Sequence, residues 1–314
     1  MITTKLYTSK VSDEWDSFIK KSKCSHFIFL RDYMDYHADR FTDHSLMFYD
    51  AKDKLIALMP ANITDGVLYS HQGLTFGGVL SQNSMKTSIM LDVFSQLIAF
   101  CQKSGMRKII YKKTPYIYSS VPADEDLYAL FRSKATLIRR DVSSAIELNN
   151  TVKYSKGRKY NISVAKKNNI SVRQVGKISD FWALLNDVLA QQHDAQAVHS
   201  LDEMELLMRR FPDNIKVYGA YNNAEVLMAG TVVYITDRLV HTQYLANSQQ
   251  GKDCGALDLV LDHLIKEIYK DHDFFDFGIS NEENGQFLNK GLIAQKEGFG
   301  ARAVCHDFYE LDIK

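Results

Sequence analysis

The sequence predicts an α/β fold built twice in one chain, on three observations: length with apolar content, short motifs recurring at a near-constant offset, and one order of elements in both copies. The 314 residues are 46% hydrophobic, enough to bury a large core and nearer two domains than one. Val11-Ser12-Asp13-Glu14-Trp15 returns as Ile178-Ser179-Asp180-Phe181-Trp182, Leu55-Ile56-Ala57-Leu58 as Val226-Leu227-Met228-Ala229, and Leu91-Asp92-Val93 as Leu257-Asp258-Leu259, at offsets of 166–171 residues. Offsets this steady leave room only for small insertions, as an internal repeat requires.

Each copy opens with Ser-Asp ahead of an amphipathic pattern, a helix start signal. A strand pair follows. In the first half residues 55–58 pair with 67–69 across Thr64-Asp65-Gly66; in the second, residues 226–229 pair with 238–240 across Thr236-Asp237. A long helix then leads into a hydrophobic strand, 108–111 or 274–277, and a further helix and a final strand, 144–148 or 306–311, close each half. This divides the chain into units 1–151 and 152–314, the second preceded by a basic connecting helix over about 152–170.

Composition excludes several function classes. With 38 basic and 38 acidic residues, the net field offers no footprint for DNA, and any anionic ligand must be captured locally. Cys24, Cys101, Cys254 and Cys305 are widely spaced and read as reduced thiols, and His193 and His199, six apart, are a poor ligand pair, so no metal is assigned. The N-terminus has no apolar run of signal-peptide length, and no stretch approaches the roughly 20 apolar residues of a membrane span. A cytoplasmic protein is expected, with peripheral membrane contact left open.

A β-meander followed by helix, strand, helix and strand is the layout of the GNAT acetyltransferase fold, and two of them in tandem resemble the FemABX acyl and aminoacyl transferases. Leu292 to Phe299, LIAQKEGF, resembles the last GNAT helix; Ala294 stands where that family often holds a tyrosine. Lys296 and Phe299-Gly300 match the lysine and Phe-Gly of FemABX proteins, with Gln295 in place of an aromatic. Arg158-Lys159-Tyr160-Asn161 with Ala165-Lys166-Lys167 resembles their connecting helix, and Lys112-Lys113-Thr114-Pro115-Tyr116 resembles an acceptor-holding segment, with Thr114 where the family has an acid. The resemblance implies transfer of an acyl or aminoacyl group to an amine of a cell-envelope precursor, either nucleotide-linked or of peptidoglycan type. The donor would be acyl-coenzyme A or aminoacyl-tRNA, with no tightly bound cofactor. Acetyl-coenzyme A-dependent N-acetylation and an inactive GNAT pair that only binds are the alternatives.

Candidate residues follow from the chemistry. Amine attack on an acyl group needs a base working near neutral pH; His71 follows one strand and His241 lies on its equivalent. Gln243, two residues on, would share the face of His241 if the strand alternates regularly. Tyr244, Gln72 and Thr75 adjoin these positions as substrate contacts. The loop Ser280-Asn281-Glu282-Glu283-Asn284 follows a central strand, where α/β sheets bind ligands, and nominates Ser280, Asn281 and Asn284. Lys112, Tyr116 and Tyr118 occupy the matching place in the first half. Between Val152 and Arg173 lie seven basic residues and no acid: either a solvated helix face or a phosphate clamp including Arg158. Lys252, Gly255 and Ala256 stand where a GNAT unit turns backbone N–H groups toward a cofactor pyrophosphate, although glycines there equally serve a positive φ. Lys296 completes the substrate contacts.

Overall fold

Among the residues that the computed structural model describes, 2–192 and 197–314, contacts group the chain into two units. His193 lies outside the described residues. The first unit comprises Met1–Asp141, Asn281–Phe287 and Cys305–Lys314; the second comprises Val142–Ser280 and Leu288–Val304.

The first unit runs β1 (Thr3–Leu6), α1 (Ser12–Ile19), α2 (Arg31–Met34), β2 (Leu46–Tyr49), β3 (Leu55–Met59), β4 (Asn62–Thr64), β5 (Val67–Tyr69), β6 (Leu80–Ser81), α3 (Thr87–Lys103), β7 (Lys108–Lys112), α4 (Glu125–Arg132) and the start of β8 (Thr136–Glu147). Helix α3 buries Met90, Val93, Phe94, Leu97 and Cys101, the i, i+3, i+4, i+7 stripe that makes it a helix in the first place. Phe48, Ala57, Met59 and Ile109 pack against it.

One expected strand pair is corrected. Residues 55–58 do not pair with 67–69: β3 lies between β2 and β6, and the hairpin partner of β5 is β4. Pro60 stands between β3 and β4, and with no N–H and a fixed φ it ends the ladder. The meander therefore splits into a sheet ordered β1-β2-β3-β6 and a second sheet begun by β4-β5-β7. The β4–β5 turn is Asp65-Gly66, both at positive φ (50° and 72°), as a two-residue hairpin turn demands.

The second unit runs α5 (Lys156–Lys167), β9 (Ser171–Gln174), α6 (Ile178–Gln192), α7 (Leu201–Arg210), β10 (Ile215–Tyr221), β11 (Leu227–Ile235), β12 (Leu239–Asn247), α8 (Gln249–Cys254), α9 (Ala256–His263) and β13 (Phe274–Ile279). Two-residue strands β14 (Asn281–Glu282) and β15 (Phe287–Leu288) follow, then α10 (Lys290–Gly298) and β16 (Arg302–Asp312). Ser155, Ser200, Ser248 and Asn289 cap α5, α7, α8 and α10 with side-chain acceptors, satisfying N–H groups that the helices leave open. In this unit the meander β9-β10-β11-β12 is unbroken and antiparallel; β13 then joins β12 in parallel and β8 in antiparallel fashion. Phe275, Phe277 and Phe299 form the aromatic part of its core.

The repeated motifs occupy equivalent elements. Ser12-Asp13 and Ser179-Asp180 sit in the first turns of α1 and α6, and Leu91-Asp92-Val93 and Leu257-Asp258-Leu259 lie in α3 and α9, each leading to a central strand. The closing strands are exchanged. β8, which follows the last helix of the first half, pairs through residues 143–147 with β13, whereas β16 pairs through Phe308 to Asp312 with β7. A cut at residue 151 separates each closing strand from the unit that it completes.

Candidate active site in the second unit

Strands β12 and β13 pair at only three positions, Leu239 with Phe274, Val240 with Phe275 and His241 with Asp276. Beyond them the two strands part. β12 also carries a bulge: His241 lies opposite Tyr234, Thr242 opposite Val233 and Tyr244 opposite Val232, which makes Gln243 the inserted residue. Residues directly opposite across a ladder share a face, so Tyr244, and not Gln243, lies on the face of His241. The regular alternation expected for Gln243 fails for that reason.

At the parting point His241 Nδ1 lies 2.7 Å from Asp276 Oδ2. Asp276 is fully buried, and its other oxygen accepts from Ser143 Oγ at 2.5 Å and from the Gly278 N–H at 3.2 Å. A buried carboxylate so held fixes the proton of the ring on Nδ1 and leaves the lone pair on Nε2. Gly278, at φ +74°, makes room: a Cβ there would fall 3.1 Å from His241 Cε1. Lys296 reaches the same turn, and its buried Nζ donates to the Gly278 and Ile279 carbonyls at 2.8 and 2.6 Å. Burial lowers its pKa to about 8, against the pull of Asp276. Lys296 thus holds the turn that aims the Gly278 N–H at Asp276. On the same face as His241, Tyr244 Oη lies 2.5 Å from His199 Nδ1 and accepts from the His199 N–H at 3.2 Å, with its ring against Trp182.

A cavity of about 400 Å³ in this unit gathers three of the nominated residues, Arg158, Lys252 and Gly255, between β12, α5 and α10. Arg158 Nη1 and Asn161 Nδ2 each donate at 2.6 Å to the buried carboxyl of Asp258. Burial raises the pKa of Asp258, opposed by those two donors. Gly255 is left-handed (φ +71°), and a Cβ on it would sit 2.4 Å from the Asn161 carbonyl oxygen. The start of α9 is therefore closed by the backbone of α5. Ala256, fully buried, packs into the core behind it. Cys254 donates its thiol to the Gly251 carbonyl at 3.6 Å. Ser280 is buried with no hydrogen-bond partner for its Oγ among the described residues, while its backbone is bonded to Val142 and Asn289.

Of the nominated residues of the first unit, His71, Lys112 and Tyr118 are committed to contacts within it. His71 is corrected as a base: it is buried at φ +68° between His37 and Phe41, and burial, with the charge of His37 second, lowers its pKa to about 3. At neutral pH such a ring stays neutral and takes up no second proton. Lys112 Nζ donates to the carbonyls of His71, Gln72 and Leu74, with its pKa lowered to about 8 by burial and by Arg139. The Gln72 side-chain oxygen accepts from Asn62 and Thr64. Tyr118 is buried against Phe76, 4.2 Å between ring centroids, while Tyr116 and Thr75 are exposed. Asn281 and Asn284 belong to this unit, and Asn284 accepts from Arg139 at 3.1 Å.

The pKa of His71 sets a pH dependence. At His71 the folded state binds fewer protons than the unfolded chain between pH 6.5 and about 3, so the contribution of this residue to stability falls as pH drops through that window. His71→Asn, which tolerates positive φ, should flatten this acid limb by up to one proton; urea midpoints across the window give the slope, and an unchanged slope would remove His71 as its source.

Sequence reasoning missed Asp276, Ser143, Asp258 and Asn161. Two signals were present: a lone acid inside the strand Phe-Phe-Asp-Phe and another inside the helix Ala-Leu-Asp-Leu, since a carboxylate in an apolar run must find partners. Among the described residues there is no group of three metal-ligating side chains, and no helix is long and apolar enough to cross a membrane.

No protein-family model and no curated protein sequence matches the chain. Solved structures do. FemX superposes with a TM-score of 0.69 at 8% identity over 98% of this chain and 97% of that one. L-PGS from Bacillus licheniformis gives 0.58 at 10% identity over 84% and 82%, and a tandem GNAT protein from the clavulanic acid biosynthesis pathway gives 0.57 at 11% over 100% and 99%. At these identities the likeness shows the fold, which is the FemX-like tandem GNAT arrangement.

Proposed function

We propose that the protein transfers an acyl or aminoacyl group to an amine, with the reaction centred on His241 of the second unit. The observation that carries this reading is the Ser143–Asp276–His241 chain at the point where two parallel strands part. The substrate ammonium gives a proton to His241 Nε2, and the freed amine attacks the donor carbonyl carbon. The new C–N bond forms as the C–O or C–S bond to the leaving group breaks, and the leaving group takes up a proton. Asp276 steadies the imidazolium that forms, as a buried acid does behind any basic histidine, and Lys296 positions the turn around it. The reacting groups are held in place, which supplies much of the acceleration in such reactions.

An aminoacyl ester, as in aminoacyl-tRNA, suits the donor side better than acyl-coenzyme A. The α9 start that would meet a pyrophosphate is capped by the Asn161 carbonyl, and Arg158 is committed to Asp258. The acceptor is an amine on a cell-envelope precursor, and the reaction runs in the cytoplasm; resemblance to FemABX proteins supports both. Offering the protein labelled aminoacyl-tRNA or acetyl-coenzyme A with a panel of amino-bearing nucleotide sugars and peptides tests the reading. Label should pass from the aminoacyl ester. Transfer from acetyl-coenzyme A alone would overturn the choice of donor, and none from either would leave a binding protein.

A further inference from the structure

A second cavity in the second unit, of about 380 Å³, lies away from His241. The register shows how far. Ile146, which lines it, pairs with Phe275, one residue before Asp276, and adjacent strand residues point to opposite faces. Ser143, by contrast, pairs with Ile279 at the far end of β13. The cavity thus opens on the other face and toward the opposite end of that strand from the proton relay.

Its lining is of two kinds. The floor is apolar, made by Ile146, Leu148 and Ile265 with the rings of Tyr154 and Phe299, 5.2 Å apart and edge to face. The rim carries Lys153, Lys159, Lys266 and Lys270, and among the described residues no carboxylate lines the space. Lys266 pairs with Asp262 at 2.5 Å and lies 4.3 Å over the Tyr154 ring. The other three ammonium groups have no ion-pair partner among the described residues. Ile265 and Lys266 come from a π-helical turn, Leu264–Ile268, that continues α9. Such turns are rare, interrupt regular hydrogen bonding and concentrate where a site needs a side chain re-aimed. Neither proline nor glycine occurs in this one to force it. Two of the rim lysines belong to the basic run of residues 152–173, of which the cavity beside Asp258 takes Arg158.

We propose that this cavity binds a nucleoside di- or triphosphate, base on the aromatic floor and phosphates among the lysines. The volume falls within the range of small-ligand sites. Lysines act on phosphate as point charges, and three ammonium groups without an ion pair, over a floor of aliphatic side chains and the half-buried Tyr154 ring, match a flat apolar body with a polyanionic tail. A ligand here cannot reach His241, so it anchors or regulates and does not react.

Calorimetric titration of the full chain with ADP, GDP and UDP, with tripolyphosphate and adenosine as half-ligands, tests this. At least one nucleotide should bind, about ten-fold or more tighter than either half. Lys153→Glu with Lys159→Glu, both at exposed positions, should weaken it at least 30-fold, and Arg158→Ala and His241→Ala should leave it within two-fold. Circular dichroism and the thermal midpoint report whether the double variant is folded; should it not be, Lys270→Glu alone, expected at about five-fold, replaces it. Absence of nucleotide binding at millimolar concentration would overturn the proposal, as would loss that follows Arg158→Ala. Recruitment by vesicles rich in acidic phospholipid without nucleotide affinity would overturn it in favour of a membrane surface. The readout is binding, so failure of the transferase reading leaves this test unaffected.

Discussion

His241→Ala should lower the rate of group transfer by about 10²–10⁴-fold, the worth of a positioned proton acceptor, with the thermal midpoint little changed because the ring is part-exposed. Asp276→Asn should cost as much by a different route. The carboxamide would present its NH₂ to Nδ1 or lose the bond, and the ring would turn its proton onto Nε2, where it cannot accept another. Ser143→Ala removes only one of the donors to Asp276 and should cost about 10- to 100-fold, in line with the ~1.5–3 kcal/mol of a hydrogen bond to a charged group. The comparison is informative because the three residues act in series. Transfer in Asp276→Asn within two-fold of the parent would show that the pair is structural and that the base lies elsewhere.

The second large effect is on stability. Gly255→Ala should lower the unfolding free energy by about 3 kcal/mol, from left-handed strain plus overpacking. The added methyl would stand 2.4 Å from the Asn161 carbonyl oxygen, with the backbone carbon of Asn161 at 2.8 Å, and neither can swing aside. Gly105→Ala is the control: its φ is +69° but nothing lies within 4 Å of the position, so it should cost only the strain, about 1–2 kcal/mol. Chemical denaturation of both variants gives the difference. Equal losses would mean that α5 and α9 yield to the methyl, and the donor-side argument built on their contact would lose its footing.

The repeat was legible because it is written in apolar spacing and helix starts, which local physics reads directly. Ser12-Asp13 and Ser179-Asp180 announce their helices, and the period of α3 announces its buried face. The pairing of β3 was not legible, although Pro60 marked the break, because which strand fills a sheet edge is decided by segments far away in the chain. His241 was legible as a histidine on a strand that should border the reacting carbonyl. His71 looked the same and is a packing residue, since burial and a neighbouring ring, invisible in sequence, decide whether an imidazole can take a proton. Gln243 was misplaced by a single inserted residue, the cheapest irregularity a strand can carry and one that its composition does not signal. Arg158, Lys252 and Gly255 converge on one cavity although 97 residues separate the first from the last; each was found by its own local chemistry, but their meeting is a property of the fold.

The exchange of β8 and β16 also sets a timetable for synthesis. As the nascent chain leaves the ribosome, β7 must wait with an open edge until residues beyond 305 emerge, because the strand that covers it is made long after it. A ribosome stalled before residue 305 would therefore release a first unit with a bare edge, the sort of surface that chaperones hold and that aggregates nucleate on.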